Sequence, residues 1–94
     1  MNIKRLVLDV DKALARPSVL EIADVLSKCP GVEDLNITVT EIDAQTVGMD
    51  VTIEGQQLDY ERVVESIEST GAVVHSVDQV ACGQRIIERV VRAR

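Results

Sequence analysis

Apolar residues fall at every second position in four stretches of this chain and at every third or fourth in two others. From Ile3 to Val10 the alternation puts Leu6, Leu8 and Val10 on one face of a strand. Ile3, Arg5, Val7 and Asp9 lie on the other. Ser18 followed by Glu21 is a capping-box spacing. Val19, Ile22, Ala23 and Leu26 then recur at the period of a helix. Cys29-Pro30-Gly31 stops that helix, because proline cannot continue its hydrogen-bond ladder and glycine accepts a left-handed turn. The stretch VEDLNITVTEID alternates again, with Leu35, Ile37 and Val39 to one side and Asn36, Thr38 and Thr40 to the other. After a short polar turn, Val47, Met49, Val51 and Ile53 alternate with Gly48, Asp50, Thr52 and Glu54, so the two strands form a hairpin. Asp59 is the N-cap of a second helix, and Leu58 staples onto Val63. Tyr60, Val63, Val64 and Ile67 are that helix's apolar stripe, and Gly71 ends it. AVVHSVDQV is the fourth strand. Its alternation puts His75 with Val73 and Val77, toward the helices.

This order predicts an α+β fold: a ferredoxin-like βαββαβ sandwich. Right-handed crossovers place both helices on one face of a four-stranded antiparallel sheet in the order 4-1-3-2. Residues 1–83 complete that domain. Residues 84–94 remain as a C-terminal extension, an extra strand or helix packed on a sheet edge or on a neighbouring subunit. The other face of the sheet is left uncovered, with Ile3, Arg5, Val7, Asp9, Asn36, Thr38, Thr40, Asp50, Thr52 and Glu54 on it. Arg5 is expected to pair there with Asp9 or with Asp78.

Composition refines this picture in three ways. Of 94 residues, 46% are hydrophobic but Tyr60 is the sole aromatic, so the core must be aliphatic. The net charge is −6, which disfavours phosphate backbones and hence nucleic acid. That charge is uneven. Residues 84–94 carry Arg85, Arg89, Arg92 and Arg94 against Glu88, a balance of +3, and residues 1–83 therefore carry −9. Two cysteines 53 positions apart, Cys29 and Cys82, fit a reducing cytoplasm better than a disulfide framework. No signal-like or membrane-length apolar run is present, so a cytoplasmic protein is expected.

Candidate chemistry is sparse. His75 is the single histidine; a partly buried structural imidazole is its plainer reading, a metal ligand or pH-sensitive group the functional one. The acids come in close pairs, Asp9 with Asp11, Glu33 with Asp34 and Glu41 with Asp43. A solvated acidic surface accounts for them, and a hard divalent cation is the functional alternative. There is no glycine-rich phosphate loop, no nucleophile elbow and no partner histidine, so no catalytic residue, no cofactor and no enzyme is expected. RNA-binding domains of this fold stack bases on aromatic strand residues, which this chain lacks. LSKCPGVEDLNITV resembles the same region of heavy-metal chaperones of this fold. Their metal loop, however, corresponds to DVDKALARPS, which has no thiol.

The segments IKRLVLDV, PSVLEIADVLSKCPGVEDLNITVTEID, TIEGQQLDYERVVESIESTGAVVHSVDQV and ACGQRII resemble the archaeal domain-of-unknown-function family 211 over nearly the whole chain. The resemblance implies ferredoxin-like domains that assemble into homo-oligomers such as rings, with no established biochemical role. It also implies that neither cysteine is a family-wide functional group.

The functional expectation is a non-enzymatic, homo-oligomeric binding or regulatory module, such as a small-ligand sensor. Asp9, Asn36, Thr38, Asp50 and Thr52 form the ligand-binding set on the open face. Arg85, Ile86, Ile87, Arg89, Val90 and Val91 carry assembly. The expected partners are further copies of the chain and a small ligand, with neither nucleic acid nor membrane. The alternative is a divalent-metal protein using Asp9, Asp11 or His75.

Overall fold

The computed structural model describes residues 1–93. Its elements are β1 (Ile3–Ala13), α1 (Val19–Ser27), β2 (Val32–Ile42), β3 (Thr46–Gly55), α2 (Tyr60–Ser69) and β4 (Val73–Cys82). The strands form one antiparallel sheet in the order β2-β3-β1-β4. This is the ferredoxin-like α+β arrangement and strand order expected from the pattern, seen from the opposite edge.

Local signals place the helices. Ser18 Oγ accepts a hydrogen bond from the Glu21 backbone N–H at 3.1 Å. Asp59 Oδ1 accepts from Arg62 N–H at 3.3 Å. Each cap satisfies one of the donors that a helix start leaves unpaired. Packing then fixes the layers. Ile22 and Leu26 of α1 and Val63 and Ile67 of α2 are buried against Leu6, Leu8, Val10, Met49, Val51 and Ile53 of the two central strands. Each such side chain contributes about 1.5–3 kcal/mol when removed from water. The core is aliphatic throughout, with Tyr60 at its rim and partly exposed.

One crossing requires glycine on both sides. Gly31, at φ 86°, follows α1, and Gly55 ends β3 against it. Gln56 N–H donates to the Gly31 carbonyl at 3.0 Å. A Cβ on Gly55 would collide with that same carbonyl oxygen, and one on Gly31 with the Gln56 oxygen. The two backbones approach closely because neither position carries a side chain.

The structure departs from the sequence pattern in three places. Ile3 is buried in the core rather than set on the open face, because the β1–β4 register shifts between Ile3 and Arg5. His75 does not point toward the helices. Asp9 pairs with Ser76 and Val10 with Val74, which leaves His75 as the extra residue of a bulge; Asp78 is the extra residue of a second bulge. Each bulge resets the period of two. His75 is therefore exposed, with Nδ1 3.7 Å from Asp9 Oδ2. The third difference is the C-terminal extension, in which residues 84–93 form neither a strand nor a helix.

Candidate functional site

The open face of the sheet is built from the residues that alternate with the core. Across it, Thr38 of β2 stands opposite Asp50 of β3, Asp50 opposite Asp9 of β1, and Asp9 opposite Ser76 of β4. The next row runs Glu41, Gly48, Asp11. These two rows and the turn beyond them enclose a hollow of about 310 Å³, lined by Asp9, Asp11, Glu41, Asp43, Thr46, Gly48 and His75. Gly48 gives the hollow its depth. A Cβ there would stand 3.6 Å from both Asp11 Oδ1 and Glu41 Cβ and would take up part of that space.

Four carboxylates and one imidazole thus converge from β1, β2, β4 and the β2–β3 turn, while β3 contributes Thr46 and Gly48. The arrangement concentrates negative potential at one end of the face, where His75 Nδ1 stands 3.7 Å from Asp9 Oδ2. Among the described residues, no three His, Cys, Asp or Glu side chains stand close enough to one another to hold a metal ion. The hollow is an electrostatic sink for cations with its donors spread apart.

The expected ligand set divides. Asp9 lines this hollow. Asn36 and Thr52 lie further along the face, in a shallower hollow with Asp34 and Glu54. Thr38 donates to Asn36 Oδ1 at 2.6 Å. Asp11 and His75, the other two weak metal candidates, join Asp9. Glu41 and Asp43 were legible only as an acidic pair. Extending the first strand by two residues and setting Gly48 opposite Asp11 would have brought them to the same place.

The far end of the face is organised by Arg5. It pairs with Glu54 at 2.8 Å, Glu88 at 2.7 Å and Gln79 at 3.3 Å, and not with Asp9 or Asp78. The register explains this, because Arg5 stands directly opposite Glu54. The hydrogen bond that Arg5 donates to Glu88, then the one it donates to Glu54, raises the Arg5 pKa above its already high value. Reciprocally, the Arg5 guanidinium holds the Glu88 carboxyl below the ordinary carboxylate range.

The extension begins at this corner. Gly83, at φ 118°, turns the chain back, and its N–H donates to the Asn2 carbonyl at 2.9 Å. Lys4 Nζ contacts the Gln84 carbonyl. Ile86 is half-buried, while Ile87, Val90 and Val91 are 79%, 84% and 76% exposed. Arg85, Arg89 and Arg92 make no ion pair among the described residues.

No helix among the described residues is long and apolar enough to cross a membrane. The thiols are separate: Cys29 is buried, 2.9 Å from Ser66 Oγ, and Cys82 is exposed.

Comparison with known proteins agrees with the resemblance in the sequence. The family model DUF211, described as uncharacterized ArCR, matches residues 4–94. An uncharacterized protein of Methanocaldococcus jannaschii, MJ0319, is 43% identical over 89 residues, which cover 95% of this chain and 91% of the relative.

Proposed function

The chain belongs to the DUF211 family, and we propose that it acts as a non-enzymatic, self-assembling binding module. Its open sheet face is the ligand seat, and its C-terminal extension is the arm that joins copies. One observation carries this reading: Ile87, Val90 and Val91 are largely exposed on a segment whose contacts with its own domain reach no further than Glu88. Three aliphatic side chains on a short arm gain nothing from folding of the isolated domain, and burial against another chain would recover that free energy. The core supports the division of roles, since it is complete without any residue after Ala72 except a partly buried Val74.

Light scattering on the full chain and on a chain ending at Gly83 tests the reading. The full chain is expected to run as an oligomer and the shortened chain as a smaller species of unchanged helix and strand content. Equal subunit numbers for the two would overturn the assignment of the arm.

A second reading is favoured by the hollow itself. Four carboxylates and His75 around about 310 Å³ suit a divalent cation drawn in as the donors close on it. This reading expects micromolar calcium, magnesium, zinc or nickel to raise the melting temperature, and Asp9→Asn or His75→Ala to abolish the rise. A melting temperature indifferent to all four ions removes it.

A further inference from the structure

The surface on which the arm docks follows from charge and from the side chains turned outward. Of the acids on the open face, only Glu54 is neutralised by a cation of its own chain, Arg5 at 2.8 Å. Asp9 has only an imidazole at 3.7 Å, and Asp11, Glu41 and Asp50 have no ion pair among the described residues. The face is therefore strongly anionic; its own arm covers only the corner around Arg5 and Glu54, and Glu41 and Asp50 at the other end stay exposed. The arm is its complement. Its one acid, Glu88, is already engaged with Arg5 at 2.7 Å, so Arg89 and Arg92 stand without a counter-charge among the described residues. Ile86 and Glu88, two positions apart, both face their own sheet. In an extended chain that period turns Ile87, Arg89 and Val91 outward; Arg92, past the last contact with the domain at Glu88, is exposed as well. Beyond Glu88 the arm is exposed throughout, at Arg89, Val90, Val91 and Arg92.

We infer that the open sheet face of one copy receives the arm of a second copy, so that Arg89 and Arg92 of the partner subunit complete a site whose acids are Asp9, Asp11, Glu41 and Asp50. This rests on the self-assembly reading and deepens it by naming the receiving surface. Arginine suits the role because its planar fork can span two carboxylates. The alternating aliphatic residues supply apolar area, and Val7, half-buried on that face of β1, offers an apolar contact. The contact is head-to-tail. Repeated, it closes into a ring when the rotation between copies permits and otherwise runs on as a filament.

Two charge-reversed full-length chains test the inference, one with Arg89→Glu and Arg92→Glu, the other with Glu41→Lys and Asp50→Lys. All four positions are exposed, and circular dichroism checks the fold. Native mass spectrometry should show the wild-type oligomer lost in each reversed chain. An equal mixture of the two should restore assembly with both chains present in equal number, because each reversed arm then meets a reversed face and the two chains alternate. Restoration also excludes misfolding as the cause of either loss. An oligomer that survives both reversals, or two dissociated chains that fail to reassemble on mixing, overturns the docking while leaving self-assembly standing. A wild-type chain that is monomeric at every concentration removes self-assembly and the docking together. An unchanged oligomer whose melting temperature rises with calcium or magnesium, an effect lost in the Glu41→Lys, Asp50→Lys chain, assigns the face to a cation and overturns the docking.

Discussion

Val7 and Leu8 are neighbours in β1, yet they belong to different environments. Leu8 faces the helices and is fully buried; Val7 faces outward on the uncovered side and is half-exposed. The same division runs along β3, where Met49, Val51 and Ile53 are fully buried while Asp50 is exposed and Thr52 is half-exposed. One sheet therefore has a face whose composition is dictated by folding and a face that folding leaves free. The free face is crowded with like charge. That crowding adds repulsion and no packing, so folding of the isolated domain does not account for it.

The largest expected effect lies in the buried face. Leu8→Ala removes a fully enclosed side chain and should cost about 2–5 kcal/mol of unfolding free energy. The adjacent Val7→Ala should cost less than about 1 kcal/mol. Chemical denaturation of the two variants checks the contrast; equal losses would mean that the two faces are not energetically distinct. A smaller effect of opposite sign is expected in the hollow, where Asp11→Asn with Glu41→Gln relieves repulsion. It should raise stability by less than about 0.5 kcal/mol at low salt, with the gain fading as salt screens the charges. A loss of stability there would mean that the carboxylates make favourable contacts in the isolated domain.

The smallest effect concerns the Arg5–Glu88 anchor. Because the folded state holds the Glu88 carboxyl below the ordinary carboxylate range, the anchor's contribution is fully present above that range. It is lost as pH falls through the lowered value. Backbone NMR relaxation over residues 86–90 should show the segment loosening only in that acidic window, and Glu88→Gln should loosen it already at neutral pH. Glu88 is solvent-exposed, so global stability should barely change.

The helix-facing side was legible from sequence because burial imposes a strict period, and Leu6, Leu8, Val10, Val47, Met49, Val51 and Ile53 all fall where alternation puts them. The caps at Ser18 and Asp59 were legible because each is a local motif. The candidate site was legible only in part. Asp9 was placed on the open face directly, but His75 arrives beside it through a bulge, and bulges on an edge strand leave no mark in a hydrophobic pattern. Glu41 and Asp43 join through cross-strand register, which depends on pairing at long separation. The arm was visible in its charge and apolar residues. Its lack of a helix or strand was not, because four β-branched aliphatics at those spacings suit either element.

The two bulges of β4 have a consequence for crowding in solution. Its outer border, with His75 and Asp78 each displacing the backbone, presents amide and carbonyl groups at uneven intervals. A second β4 laid alongside would find no continuous ladder to extend. Amyloid-like stacking from that border, where Val73, Val77 and Val80 are exposed, is thereby discouraged.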